Sequence, residues 1–178
     1  MKKITLTFGL MAGVIIIVYS FIVFMLFGDF SKMTAGQFQM VEILGYLRYL
    51  ILLLTVFFAM RTFKKNTDRA LNYWQIVKQG VMVALVVAVC IGIMEAVYLL
   101  LNPGFYEKFG KMYAEQLKAG GATEKAINAA KQEMDNYKWM QTPLMTGVFY
   151  FFETALTGSV ASLIIGRFLK SKKEVQTL

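Results

Sequence analysis

The segment from Ile76 to Leu101, IVKQGVMVALVVAVCIGIMEAVYLLL, limits what this chain can fold into more than any other stretch. Past Lys78 and Gln79 it holds a single charged side chain, Glu95, in an otherwise apolar run. A helix of this length rises roughly 39 Å at about 1.5 Å per residue, against a hydrocarbon core of roughly 30 Å. It is predicted to cross a membrane. Gly80, Ala84, Ala88, Gly92 and Ala96 recur at every fourth position and share one slowly drifting stripe where another helix can approach closely. On the helical wheel Glu95 lies about 20° from Ala84 and Ala88 and about 60° from Gly92, so its carboxylate is expected to point into a bundle.

Three further apolar blocks follow the same logic, at about 6–27, 41–60 and 144–169. The whole chain is 57% hydrophobic with 17% charged residues, and its apolar residues come in blocks instead of stripes, as in an integral membrane protein. The 178 residues predict an all-α fold: one membrane domain, a bundle of four transmembrane helices with no separate soluble domain. The first block follows Lys2 and Lys3 and is about twice as long as the roughly 7–15 apolar residues of a signal peptide, so it reads as an uncleaved helix. Gly9 and Gly13 form a GxxxG pair in it, a helix-contact signal. Gly45, Arg48, Thr55 and Ala59 fall within about 60° of one another on the second helix, a small and polar face. In the fourth, Thr154, Gly158, Ser162 and Gly166 form a second small-residue stripe, with Glu153 about 140° from Gly158 on another face.

Between the third and fourth blocks, Asn102-Pro103-Gly104 interrupts the helix. Phe105, Phe109, Met112, Tyr113 and Leu117, then Ala126, Ile127, Ala130, Met134 and Tyr137, repeat at helical spacing. Gly120-Gly121 offers a C-cap between the two sets and Thr123 an N-cap, which predicts an amphipathic helical hairpin over about 103–140 on the extracytoplasmic face. Pro143 suits the first turn of the fourth span.

Orientation follows from counting. One set of flanks carries eleven bases, Lys2, Lys3, Arg61, Lys64, Lys65, Arg69, Lys78, Arg167, Lys170, Lys172 and Lys173, against two acids, Asp68 and Glu174. The other carries seven bases, Lys32, Lys108, Lys111, Lys118, Lys125, Lys131 and Lys138, against seven acids, Asp29, Glu42, Glu107, Glu115, Glu124, Glu133 and Asp135. The rule that positive charge stays inside places both chain ends in the cytoplasm. The net charge of +8 therefore belongs to the membrane flanks, and no nucleic-acid partner is expected. With no histidine and one cysteine, Cys90, the chain lacks His-based triads, most zinc or haem ligation and any intrachain disulfide. No catalytic, cofactor-binding or metal-binding residue is expected, and the chain reads as a non-enzyme.

Three charges remain that do not belong in lipid: Arg48, Glu95 and Glu153, one each from the second, third and fourth spans. Each lies roughly 9 to 14 Å below the outer boundary, and an unpaired charge at the bilayer centre costs about 2.5 to 3.5 kcal/mol on insertion scales. A shared depth predicts one cluster. Either Arg48 bridges two carboxylates to fix which helices pack, or the acid left unbalanced serves a proton relay, a cation site or a slot for a lipid headgroup.

Several stretches carry a family resemblance: the basic start with FGLMAG at Phe8 to Gly13, Gly45-Tyr46, VFFAMRTFK at the end of the second helix, the Lys, Glu, Met and Tyr-rich segment before Pro143, and FFETALTGSVASLIIGRFLKSKK. Over nearly its whole length the chain resembles the small bacterial inner-membrane proteins of the domain of unknown function 4199 family. The family's turn after the second helix differs, reading FKKNTDRALNYW here. The resemblance implies four spanning helices and an inner-membrane home, and brings no activity with it.

Two small-residue stripes and the hairpin favour an accessory or assembly subunit of a larger envelope complex, with the bilayer and a membrane protein or a second copy of the chain as partners. The alternative is a small carrier for a proton, a cation or a lipid-linked group, built on Glu95 and Glu153. No internal repeat relates the two halves, which counts against a carrier.

Overall fold

The computed structural model describes residues 2–27, 35–67 and 71–169, and among them every regular element is a helix. In chain order these are α1 (Lys2–Phe27), α2 (Ala35–Lys65), α3 (Tyr73–Leu101), α4 (Phe105–Ala119), α5 (Glu124–Asn136), a short 3-10 turn (Lys138–Gln141) and α6 (Pro143–Leu169). Four of them, α1, α2, α3 and α6, are long and apolar enough to cross a membrane. Each of these four starts earlier than its apolar block, and α2 also ends later, because hydropathy sets only the buried length while a helix runs on until something caps it. At the start of α3, for example, Asn72 Oδ1 accepts the Gln75 N–H at 2.9 Å and Gln75 Oε1 accepts the Asn72 N–H at 3.1 Å, a reciprocal capping box.

Of the charges counted above, Asp29, Lys32, Asp68, Arg69, Lys170, Lys172, Lys173 and Glu174 lie outside the described residues, as does the side chain of Glu42. Thr5 against Gln79 and Lys64 against the Leu169 carbonyl gather the start of α1, the end of α2, the start of α3 and the end of α6 at one end of the bundle. Tyr19 donating to the Leu44 carbonyl, and Phe24 edge-on to Tyr98, mark the other end.

At the centre stands α3, packed on α1, α2 and α6, and its contact with α6 is the most extensive. The reason lies in the two small-residue stripes, which close on each other. A side chain at Gly158 would collide with Ala84, one at Gly80 would lie 2.5 Å from Ser162 Oγ, and one at Gly92 would lie 2.8 Å from the Gly147 carbonyl oxygen. Gly166 faces Val77 and Tyr73, Ala96 faces Gly147, and Ala88 is completely buried. On another side of α3, Gly9 of α1 meets Val86 and Gly13 meets Cys90, so the GxxxG pair is also used within the chain.

Gly45 departs from the expected small and polar face of α2. It looks into open space, with no heavy atom within 4 Å of where a side chain would begin. The arc assigned to that face was wide, and only its part toward Arg48 and the buried Ala59 turns inward.

Between α3 and α6, α4 and α5 fold back on each other through a turn in which Gly120 caps α4, Gly121 takes a left-handed φ of 78° and Thr123 Oγ1 accepts the Ala126 N–H at 3.3 Å. Gly110 permits the close approach, since a side chain there would lie 3.0 Å from Met134 Cε. A row of rings ties α4 to the bundle: Tyr98 meets Phe105 edge-on at 5.5 Å, Phe105 stacks on Phe109 at 6.1 Å, and Phe109 stacks on Tyr113 at 6.3 Å.

Candidate functional site

Arg48, Glu95 and Glu153 come together between α2, α3 and α6. Arg48 Nη1 donates to Glu95 Oε1 at 3.4 Å, and Arg48 Nη2 lies 3.6 Å from Glu153 Oε2. The second distance is a contact of charges and too long for a hydrogen bond. One guanidinium thus stands between two carboxylates on two different helices.

Tyr49 completes the contact to α6. Arg48 Nη2 donates to its hydroxyl at 2.9 Å, and that hydroxyl donates to Glu153 Oε1. The guanidinium also faces two aromatic rings, with its Cζ 4.9 Å from the centroids of Tyr49 and Tyr150. Cation–π contacts of this kind stabilise by ~0.5–2 kcal/mol and reduce the cost of holding an arginine away from water. The side chains of Arg48 and Glu95 are 21% and 17% exposed, and that of Glu153 is 32% exposed, so Glu153 is the most accessible of the three. Its Oε2 is nonetheless a buried atom with no hydrogen-bond partner among the described residues.

Chemically, the site has two acids for one base and an acceptor oxygen to spare. Among the described residues, no group of three or more His, Cys, Asp or Glu side chains is placed to hold a metal ion. What the arrangement can do is hold charge, and respond to a change of charge, within the span of the bundle.

Sequence reasoning missed the tyrosines around the cluster. Tyr150 stands three residues before Glu153, a spacing that shares one helix face and would have marked it. Tyr49 is adjacent to Arg48 in sequence, where side chains do not face each other, and no spacing rule would have found its bridge to α6. Gly147 was also missed, although it precedes Gly158 by three full turns and so extends the same stripe. A second buried polar contact joins α1 to α3, where Gln79 Nε2 donates to Thr5 Oγ1 at 3.1 Å with Gln79 fully buried.

No curated protein and no solved structure matches this chain. A family profile described as protein of unknown function (DUF4199) matches residues 7–171, which takes in α2, α3 and α6 whole, α1 from Thr7 onward, and every residue of the charge cluster. The chain belongs to that family.

Proposed function

We propose that this chain is a non-enzymatic inner-membrane protein, with both ends in the cytoplasm and the α4–α5 pair outside, that acts as a small carrier for a proton or a cation. The observation that carries the proposal is the cluster itself: three long apolar helices each give up one charged side chain to the same place, with two carboxylates for one guanidinium. Charges at such depth are costly, and those found there serve pathways and relays more often than packing. The small-residue stripes, which favoured an accessory subunit, close on each other inside the chain and so no longer speak for one. The orientation follows from the basic residues gathered at the end of the bundle that holds Lys64 and Arg167.

An accessory role keeps support in the exposed apolar faces of the long helices and in α5, which has no buried residue. The two are separated by reconstituting the full chain into liposomes and imposing a pH or cation gradient. A carrier dissipates the gradient, and Glu153→Gln and Glu95→Gln abolish that flux while helical content and expression stay near those of the parent. Variants that lose only expression, together with a stoichiometric protein co-purifying in mild detergent, would favour the accessory role.

A further inference from the structure

The end of the bundle that gathers Lys2, Lys3, Arg61, Lys64, Lys65, Lys78 and Arg167 holds no acidic residue among the described ones. One part of it is more than a charged rim. Tyr73 donates its hydroxyl to the Leu163 carbonyl at 3.0 Å, and its ring lies against Gly166, which brings the first turn of α3 beside the last turns of α6. Trp74 stands edge-on to the Tyr73 ring at 5.1 Å and is 67% exposed. Lys78 follows one turn later on the same face and is exposed, as is Arg167, the neighbour of Gly166 on α6. Below Lys78 the outward face of α3 continues as exposed Met82, Val89 and Ile93.

We propose that this face holds one anionic phospholipid, with its phosphate against Lys78 and Arg167, the polar end of its headgroup beside the Trp74 indole, and its acyl chains along Met82, Val89 and Ile93. The charge selects the headgroup. A zwitterionic lipid brings its own cation to a surface that already has an excess of bases, whereas a net negative headgroup balances them. The apolar strip selects a lipid over a free anion, since a soluble phosphate has no use for it. The indole, one turn nearer the end of the bundle than Lys78, offers that headgroup its N–H donor.

Trp74 reports on the site. Trp139 is the only other tryptophan in the sequence, so the full chain with Trp139→Phe carries a single tryptophan, which is excited selectively over the tyrosines. This protein is placed in phosphatidylcholine vesicles containing a minor fraction of brominated phosphatidylglycerol, or the same fraction of brominated phosphatidylcholine. The expected result is stronger quenching by the anionic lipid, equivalent to its enrichment about fivefold for each engaged base. Lys78→Gln should remove about one such factor, while Lys78→Arg keeps it. Equal quenching by the two lipids, or a preference undiminished in the Lys78→Gln/Arg167→Gln double variant, would overturn the proposal. So would quenching by neither, which would mean that protein covers the face.

Discussion

Removing Arg48 leaves two carboxylates facing each other in the bundle, so at the level of single residues it is the most damaging change in the cluster. Arg48→Gln is expected to destabilise by on the order of 3 kcal/mol, the scale for stranding buried charge, lessened by the partial exposure of Glu153. Glu153→Gln in the same chain should recover part of that loss. Thermal unfolding in detergent by circular dichroism measures both, and equal melting of the single and double variants would refute a coupled cluster. Apart from the four long apolar helices, Lys111 donates to Glu107 at 2.7 Å on the exposed side of α4. This hydrogen bond, and next the charge of Lys111, holds the Glu107 carboxyl below the usual carboxylate range. Because the shift is downward, the contact is present above that range and is lost as pH falls through the lowered value. In an NMR titration Glu107 should titrate lower than free glutamate, and Lys111→Gln should return it to the ordinary range.

Among elements, the pairing of α3 with α6 depends on the absence of side chains. Gly158→Ala places a methyl group onto Ala84 and should cost ~1–3 kcal/mol through overpacking. Gly45→Ala meets nothing, and in a helix interior should be neutral or stabilise by up to ~1 kcal/mol. Comparing their melting temperatures with that of the parent tests the assignment, and similar effects of the two changes would argue against it. Both stripes were legible in the sequence because a period of four survives without knowledge of the partner helix. What was not legible was that the partner of each stripe is the other one. Spacing within a helix names a face but carries no information on what covers it, and so the stripes suggested surface for another protein. The same limit explains Gly45, where a wheel arc of about 60° is wider than the inward-facing part of α2.

For the whole molecule, the four long apolar helices and the two-helix insertion could be read directly from block lengths and from Pro103, Gly120 and Thr123. The meeting of Arg48, Glu95 and Glu153 was readable only as an inference from shared depth, since unpaired charge in lipid is costly and a common level is the simplest way to avoid it. The bridge from Tyr49 to Glu153 depends on rotation and tilt of α2 against α6, which no local pattern encodes. The central claim is that the charges of α2, α3 and α6 share one place inside the bundle. The most direct test is cross-linking in native membranes. In a Cys90→Ala background, Tyr49→Cys with Glu153→Cys is treated with a short bismaleimide, and Thr5→Cys with Gln79→Cys serves as the α1–α3 control. Efficient linkage within one chain for both pairs is the predicted result. Linkage of the control pair alone, or of residues 49 and 153 only between separate chains, would contradict it.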